Sequence, residues 1–323
     1  MRKPQWVAMF LCVAFLCGCT PETNRKTGFY FDTTVAITIY GADNSAATDA
    51  CFALFSEWDS LWNRFDPSSE LSRINSGALT EPDTLTMALI MRAFDYNRQT
   101  DGLFDVALGT LSSAWGFGSA AQAVPEDSLL KSALAASGMA HVSAQDGTIS
   151  LANGAQLDFG SIAKGMAADA AAQTLRDHGV TAAIIDLGGN IVCVGGRTKN
   201  EPFIVGIQRP FAPPGEAAAT VEVRDAGVVT SGIYQRYFTQ EGKLYPHIID
   251  PRTGLPCDSD LASVTVIAGS AEWADALSTA LLLLGSARGF EFVKDRADTE
   301  AVFITKDGNV LYTPGLEGNI KIR

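Results

Sequence analysis

Apolar and polar positions along this chain alternate between a strand-like period of two and a helix-like period of about 3.6. Residues 29 to 40 carry apolar side chains at every second position around Ile37, which predicts a strand with one buried face. Residues 46 to 65 carry aromatic side chains at helical spacing, from Phe52 to Phe65, which predicts a helix packed on a core. The chain therefore mixes both kinds of element from its beginning.

The rest of the chain continues this mixture. Further helices are predicted at residues 83–98, 125–137, 161–178 and 271–284. Strands are predicted at residues 148–152, 183–187, 203–207, 220–224, 261–268, 301–305 and 310–312. Several of these strands follow one another without a helix between them, which favours antiparallel pairing. The pattern shows no repeat and no long linker, so it predicts a single mixed α+β domain with largely antiparallel sheets and packed helices.

The N-terminus has the pattern of a secretory signal. Two basic residues, Arg2 and Lys3, precede an apolar run at residues 6–16. This run is well short of the roughly 20 residues that a membrane-spanning helix needs. The segment Leu16-Cys17-Gly18-Cys19 is similar to the bacterial lipobox, in which cleavage leaves a lipid-bearing cysteine at the new N-terminus.

We therefore expect a lipoprotein signal at residues 1–18, a tether at 19–28 that starts from lipidated Cys19, and a folded domain at 29–323. Such a protein is exported and anchored by lipid, either to the inner membrane facing the periplasm or to the outer face of the cell membrane. An ordinary signal cleaved near the same place, or an uncleaved anchor, would explain the same residues.

The composition excludes some functions and leaves others open. The formal charge is 24 − 36 = −12, which argues against binding to the phosphate backbone of nucleic acid. The cysteines outside the signal, Cys51, Cys193 and Cys257, are odd in number and widely spaced. They therefore indicate neither a disulfide framework nor a zinc site, although one pair remains open in an exported protein.

Residues 247–254, His-Ile-Ile-Asp-Pro-Arg-Thr-Gly, contain one of only three histidines in the chain. The isoleucines place His247 near a strand end, and the turn that follows is typical of a loop that can hold a functional group. The same residues are equally typical of a structural turn in which Arg252 pairs with Asp250. The segment alone does not decide between the two interpretations.

Two other segments place polar groups where a ligand could bind. Residues 157–165 pass from a strand into a helix, where free N–H groups and Lys164 suit a phosphate, although a helix capped by Ser161 explains them equally well. Asp275 and Thr279 lie four apart on one predicted helix face. Oxygen ligands without nearby Cys or His favour Mg²⁺ or Ca²⁺ over zinc, unless both groups are simply exposed in the first helical turn.

These pieces belong to a set of segments in a fixed order. They are Phe31-Asp-Thr33, Ser69-Glu-Leu-Ser-Arg-Ile-Asn75, Gly102-Leu-Phe104-Asp105-Val106, Asp158-Phe-Gly-Ser-Ile-Ala-Lys164, Asp186-Leu-Gly-Gly-Asn190, Thr230-Ser-Gly-x-Tyr234, His247-Ile-Ile-Asp-Pro-Arg-Thr-Gly254 and Ala274-Asp275-Ala-Leu-Ser-Thr279. The set resembles the ApbE family of FAD:protein FMN transferases over about residues 29–315. The resemblance implies an ApbE-like fold with a T-fold-related core. The chain departs from the family pattern at two segments. Phe31-Asp32-Thr33 stands where the family usually has Met-Gly-Thr, and Asn63-Arg64-Phe65 replaces a segment more often written with serine and tyrosine.

The resemblance implies an enzyme that binds FAD and Mg²⁺, breaks the pyrophosphate, and transfers FMN to a threonine or serine hydroxyl of an exported flavoprotein, releasing AMP. The implied acceptor is an exported FMN-binding protein of the kind found as a subunit of redox-driven ion pumps. The implied FAD contacts are Phe31, Phe65, Phe104, Asp105, Val106, Asp158, Lys164 and Ile249. The implied metal ligands are Ser161, Asp275, Ser278 and Thr279.

Within this hypothesis His247 is the catalytic base that accepts the proton of the target hydroxyl. Asp250 is the second catalytic candidate, and either Asp250 or Arg252 would orient the imidazole. The same site could instead hydrolyse FAD to FMN and AMP as a Mg²⁺-dependent pyrophosphatase. A lipoprotein that binds flavin without turnover is the alternative from another class.

Overall fold

The computed structural model describes residues 23–323. The strands are β1 (Thr23–Tyr30), β2 (Thr33–Tyr40), β3 (Val142–Gln145), β4 (Thr148–Leu151), β5 (Ala183–Leu187), β6 (Asn190–Val194), β7 (Phe203–Gln208), β8 (Ala217–Val223), β9 (Gly227–Gly232), β10 (Tyr237–Gln240), β11 (Lys243–Pro246), β12 (Leu261–Ala268), β13 (Thr299–Thr305), β14 (Val310–Tyr312) and β15 (Ile320–Ile322). The helices are α1 (Ser45–Trp62), α2 (Glu70–Asn75), α3 (Thr84–Gln99), α4 (Gly109–Ala114), α5 (Asp127–Ala136), α6 (Ala163–Asp177), α7 (Ala271–Leu284) and α8 (Ser286–Val293).

Eight strands form one sheet in the order β1-β2-β5-β6-β9-β12-β13-β14. A smaller sheet has the order β15-β8-β7, and β3-β4 and β10-β11 form separate hairpins. All pairs of neighbouring strands are antiparallel. The predicted α+β class with largely antiparallel sheets is therefore confirmed.

The large sheet is covered on both faces. On one face, Val264 and Val266 of β12 are fully buried in the main core with α1, α6 and α7. On the other face, Val228 and Ile304 pack in a second cluster with residues of β7 and β8. A strand covered on both faces needs apolar residues in succession, which explains the nearly continuous apolar sequence of β12.

Asp169 fixes the start of α7 against α6. Its Oδ1 accepts a hydrogen bond from the Ala271 N–H at 2.9 Å, and its Oδ2 accepts from the Glu272 N–H at 3.0 Å and the Ser270 hydroxyl at 2.9 Å. A carboxylate at this position satisfies N–H groups that a helix start leaves without partners. The contact sets the position from which α7 presents its polar side chains.

The first hairpin differs from the prediction of one strand at residues 29–40. The chain turns at Phe31 and Asp32, whose φ angles are 51° and 55°, so β1 pairs back onto β2. Positive φ at both loop residues is the geometry of a type I′ hairpin turn, which usually contains glycine or asparagine. Without either residue the turn is not visible in the sequence. Strand β1 also includes residues 23–28, so the folded domain extends into the predicted tether.

The expected signal at residues 1–18 and lipidated Cys19 lie outside the described residues. Within residues 23–323, none of the helices is both long and apolar enough to cross a membrane. Cys51, Cys193 and Cys257 are buried and free.

Candidate active site

The predicted phosphate-binding lysine and the central predicted metal ligand meet where α6 packs against α7. Asp275 on α7 is 4% exposed, and its Oδ2 accepts a hydrogen bond from the Gly165 N–H at 3.1 Å. Lys164 Nζ lies 3.7 Å from the same oxygen and donates to Gly160 O at 3.0 Å. Residues 110 positions apart thus form one polar cluster at the start of α6.

Asp275 and Asn190 form the buried centre of this cluster. Burial raises the pKa of Asp275, and the nearby Lys164 charge lowers it only in part. Within the described part of the chain, the N–H and ammonium contacts to this carboxylate use Oδ2. Asn190, 2% exposed, lies close enough to lower the pKa of Asp275, yet its Nδ2 meets no acceptor at hydrogen-bond geometry. A buried amide N–H without an acceptor is costly unless a bound group supplies one.

Gly165 sets the distance between the two helices. A Cβ at this position would lie 2.4 Å from Ala271 O and 2.7 Å from Glu272 Cα, both on the α7 backbone. Real Cβ atoms do not approach backbone this closely, so the contact requires glycine. Asp275 reaches the start of α6 because the helices pack at this distance.

Gly165→Ala should therefore lower the free energy of unfolding by about 2–3 kcal/mol, because the added methyl group must push α6 and α7 apart. Gly269→Ala is the matched control, since nothing lies within 4 Å of its Cβ position. The control should change stability by less than about 0.5 kcal/mol. Urea unfolding followed by tryptophan fluorescence measures both variants. Equal effects would show that the helix contact does not depend on glycine.

The hydroxyl groups of α7 are placed unequally. Ser278 is fully buried, donates to Asp275 O at 3.0 Å, and lies 2.8 Å from Ser231 Oγ on β9. Thr279 is half-buried, with Oγ1 3.2 Å from the same serine hydroxyl. Thr279 Oγ1 also donates to Asp275 O, at 3.4 Å. Because Ser278 is fully buried and Thr279 is not, Thr279 is the better placed of the two for a ligand.

Ser161 is half-buried and precedes α6, which begins at Ala163 without a side-chain cap. The alternative in which Ser161 caps the helix is therefore not what the chain adopts. The main chain at Ser161 lies directly before the helix start where Lys164 and Gly165 contribute to the polar cluster.

These groups fit a hard divalent cation. The buried carboxylate of Asp275, the hydroxyl of Thr279 and the main chain at Ser161 supply oxygen atoms only, the ligand type that Mg²⁺ prefers. Residues 23–323 contain no group of three or more His, Cys, Asp and Glu side chains that could hold a metal ion alone. Since Mg²⁺ sites commonly combine one or two carboxylates with substrate phosphates, a cation here would take its remaining ligands from a bound nucleotide.

Asp158 is held by an arginine that no sequence pattern singles out. Arg64 Nη1 lies 2.5 Å from Asp158 Oδ2, and the Gly160 N–H donates to Oδ1 at 3.0 Å. Burial alone would raise the pKa of Asp158, but Arg64 and the Gly160 N–H together hold it below the ordinary value.

Arg64 also lies over the Phe65 ring, with 5.0 Å from the guanidinium carbon to the ring centroid. The Phe65 ring is 49% exposed. Two predicted FAD contacts, Asp158 and Phe65, thus belong to one surface joined by Arg64. No periodicity indicates a contact between Arg64 and Asp158, which are 94 residues apart.

The side chains of the predicted FAD-binding segment Phe104-Asp105-Val106 make contacts inside the protein. The side chains of Phe104 and Val106 are 1% and 0% exposed and belong to the main core. The Asp105 carboxylate accepts from the N–H groups of Ala107 at 2.7 Å and Met139 at 3.0 Å, and burial raises its pKa. The side chains of Phe104 and Val106 therefore lie in the core, and an FAD contact at these residues stays a prediction. Only their main chain remains for a nucleotide.

The two other predicted flavin contacts differ in exposure. Phe31 is half-buried at the β1–β2 turn, with its ring centroid 6.4 Å from that of Phe55. Ile249 is 5% exposed and packs in a small cluster with Trp115, whose Nε1 donates to Gly254 O at 2.8 Å. The Ile249 side chain therefore anchors the His247 segment rather than offering a surface to a ligand.

His247 is neutral at pH 7 and has a defined tautomer. Its Nδ1 lies 3.0 Å from Arg236 O, and its backbone N–H donates to the same carbonyl at 3.1 Å. A carbonyl oxygen only accepts, so Nδ1 carries the proton and Nε2 keeps a free lone pair. Burial lowers the pKa of His247 to about 4, and the charges of Arg236 and Lys164 add to this effect. His247 is thus a proton acceptor within electrostatic range of the polar cluster.

Neither Asp250 nor Arg252 orients His247. Arg252 donates to the Asp250 carboxylate through Nε at 2.9 Å and Nη2 at 2.5 Å. Both partners of this ion pair lie within the turn. The pair is the one expected if the segment is a structural turn. The orienting role predicted for Asp250 or Arg252 belongs to the Arg236 carbonyl, which sequence patterns could not identify because the contact is made by main chain.

The lowered pKa of His247 predicts a pH effect on stability. The folded ring stays neutral down to about pH 4, whereas the unfolded ring takes up a proton near pH 6.5. The unfolded chain therefore binds more protons between these values, so stability is full above about pH 6.5 and falls toward pH 4. Between pH 7 and pH 5, the unfolding temperature should fall more in the wild type than in His247→Gln. Equal slopes in the two proteins would show that the histidine has an ordinary pKa.

The fold and the polar cluster together can be compared with known proteins. A sequence profile of the ApbE family matches residues 31–303. The chain therefore belongs to the ApbE family, and the prediction made from the ordered motifs is confirmed.

Several relatives share most of this chain. The FAD:protein FMN transferase of Treponema pallidum is 34% identical over 300 residues, covering 87% of this chain and 83% of its own. That of Klebsiella pneumoniae is 32% identical, covering 86% and 87%. The solved ApbE protein from Thermotoga maritima has a TM-score of 0.86 at 27% identity, covering 92% of this chain and 99% of its own. The flavin transferase ApbE from Vibrio cholerae has a TM-score of 0.81 at 28% identity, covering 93% and 99%.

Proposed function

We propose that this chain is a Mg²⁺-dependent FAD:protein FMN transferase that uses a Thr or Ser hydroxyl of an exported flavoprotein as acceptor and releases AMP. The observation that carries the proposal is the pairing of a neutral histidine, with Nε2 free, and a buried cluster in which Asp275, Lys164 and the unpartnered Asn190 Nδ2 meet. The names of the relatives support the same reaction.

Substrate binding follows from the polar cluster and the surface around Arg64. Lys164 and the uncapped start of α6 suit the pyrophosphate, because both present positive charge to a phosphate oxygen. The exposed ring of Phe65 suits an aromatic ring system of the dinucleotide. Asp158, held ionised by Arg64, suits a hydrogen-bond donor of the bound molecule.

Asp275, Thr279 and the Ser161 main chain would hold Mg²⁺, with Ser278 supporting them through its bond to Asp275 O. When bound, the ion neutralises charge on the pyrophosphate oxygens as the bond between the phosphates breaks. Asn190 Nδ2 has a free N–H beside Asp275 and so can donate to an oxygen of the pyrophosphate.

His247 accepts the acceptor's proton. The hydroxyl oxygen forms a bond to the phosphorus that carries the riboflavin, and the bond from that phosphorus to the bridging oxygen breaks. The hydroxyl proton moves to His247 Nε2, and AMP leaves with the bridging oxygen. Since the pKa of His247 is about 4, the transfer becomes favourable as the attacking oxygen bonds to phosphorus and its own acidity rises.

The test uses the full chain with FAD, Mg²⁺ and a panel of exported FMN-binding proteins. Flavin fluorescence that survives denaturing electrophoresis on the acceptor, with AMP formed in equal amount, supports the proposal. Free FMN and AMP without labelled acceptor would show that the protein hydrolyses FAD instead of transferring FMN. FAD binding with no AMP in either assay would make the protein a flavin-binding lipoprotein without turnover.

We further propose that the protein is exported and anchored to a membrane by lipid at Cys19, where its acceptor is also located. The lipobox-like segment at residues 16–19 supports this location. Labelling in cells with a clickable fatty acid should mark the wild type and the Cys17→Ser variant but not Cys19→Ser. Label retained in Cys19→Ser would contradict the anchor.

A further inference from the structure

Arg236 connects two segments of the candidate active site. Its Nη2 donates to Asp32 O at 3.0 Å, a contact between residues 204 positions apart. Its own carbonyl oxygen accepts from the His247 backbone N–H at 3.1 Å and lies 3.0 Å from His247 Nδ1. One residue therefore contacts the β1–β2 turn through its side chain and the proposed base through its main chain.

Residues outside the β1–β2 hairpin contribute to the stability of its turn. Phe31 and Asp32 both have positive φ, a conformation that glycine, asparagine and aspartate tolerate better than other residues, so the backbone strain is greatest at Phe31. Two contacts from elsewhere maintain it, the bond from Arg236 and a bond from the Phe31 N–H to Asp59 Oδ1 at 3.0 Å. Such backbone strain persists only where the surroundings fix it, and it concentrates at functional sites.

The side chain of Arg236 is exposed, so its bond to Asp32 O adds little to global stability. The bond instead fixes the position of the turn that carries Phe31, a predicted flavin contact. The two contacts of Arg236 connect the turn at Phe31 with His247, although the two residues lie on separate hairpin segments.

We propose that Arg236 is a positioning residue that couples the place of Phe31 to the orientation of His247. The inference rests on the proposed flavin transfer, since it assumes that Phe31 contacts FAD and that His247 accepts the proton. It names a residue that acts through these two and touches neither substrate nor the reacting atoms itself.

The experiment compares Arg236→Met and Arg236→Lys with Arg288→Met, in which an exposed arginine on α8 is replaced. Methionine keeps the Arg236 carbonyl and removes the tie to Asp32. We expect Arg236→Met to raise both the FAD dissociation constant and the KM for FAD about tenfold, the scale set by loss of one charge-assisted hydrogen bond. Arg236→Lys should recover part of the loss, and Arg288→Met should match the wild type.

Ring ¹⁵N NMR tests the other end of the coupling. The described chain holds the ring nitrogens of His141, His178 and His247 in different hydrogen bonds, so the first two serve as internal references. The wild type should show the Nδ1–H tautomer at His247, and Arg236→Met should show a mixture of tautomers. This readout needs no substrate and no activity.

A substitution at Asp32 tests whether the turn transmits the effect of Arg236→Met on FAD affinity. Asp32→Gly lowers the cost of the positive φ at that position further, so the turn depends less on the arginine. In the double variant Asp32→Gly/Arg236→Met, FAD affinity should return to within about twofold of Asp32→Gly alone, while the His247 tautomer mixture remains.

Three results would overturn the proposal. Unchanged FAD affinity and tautomer in Arg236→Met would show that the contact positions nothing. Loss of kcat alone, with the tautomer unchanged, would place the guanidinium on the reacting phosphate instead. Failure of Asp32→Gly to restore FAD affinity would show that the turn is not the route. If the wild type transfers no FMN, the proposed function fails, while dissociation constants and NMR still decide the coupling.

Discussion

Replacing Asp275 with asparagine is expected to lower the rate of FMN transfer at least about a thousandfold while the protein stays folded. Asp275 is the buried carboxylate at the centre of the polar cluster, and asparagine preserves its shape but not its charge. Because burial raises the pKa of this carboxyl, the ionised group is held at a cost in the metal-free protein. The unfolding temperature without Mg²⁺ should therefore be unchanged or slightly higher in the variant.

Two measurements separate this role from a general loss of structure. Mg²⁺ with a non-hydrolysable FAD analogue should raise the unfolding temperature of the wild type and not that of Asp275→Asn, because a ligand stabilises only a fold that binds it. Asp295→Asn removes the same charge from an exposed position and is the matched control. If Asp275→Asn kept the Mg²⁺-dependent shift, the cation would bind elsewhere.

Replacing His247 with glutamine is expected to slow FMN transfer by about 10²- to 10⁴-fold, the contribution typical of a positioned general base. Glutamine can still donate to Arg236 O but has no nitrogen that accepts a proton. FAD affinity should stay within about twofold of the wild type, since the lost group acts on the acceptor hydroxyl. Single-turnover labelling of the acceptor and fluorescence quenching by the protein measure the two quantities.

His178→Gln is the control for this substitution, because His178 is exposed and its ring nitrogen bonds to Thr174 O on its own helix turn, away from the polar cluster's residues. The pH profile gives a second criterion. The pKa of His247 is lowered to about 4, so its neutral form prevails above pH 5 and transfer should show no His247 titration between pH 6 and 8. Near-normal transfer by His247→Gln would remove the residue as the base.

Sequence patterns located most of the long elements because burial on one face leaves a strong periodicity. β12 and α7 were predicted with their observed limits, and α3 and α6 to within two residues. The β1–β2 hairpin was missed because its turn at Phe31 and Asp32 lacks the usual glycine or asparagine signal. Strand β6 was missed because it is short and follows β5 after only Gly188 and Gly189.

The candidate site divides in the same way. Lys164, Asp275 and Thr279 could be named from the sequence, since each stands in a recognisable segment and the structure brings them together. The contacts of Arg64 with Asp158 and of Arg236 with Asp32 could not be predicted, because they join segments 94 and 204 residues apart and depend on the completed sheet.

The order of motifs along the chain was sufficient to determine the family, the α+β class and the residue types from which a phosphate and cation site is built. That information is local, because each motif is a short run whose chemistry does not depend on its neighbours in space. Only the tertiary structure decided that Phe104 and Val106 belong to the core, that Asp250 pairs with Arg252, and that a main-chain carbonyl sets the tautomer of His247. These outcomes depend on burial and on main-chain geometry, and neither is encoded in the identity of a single residue.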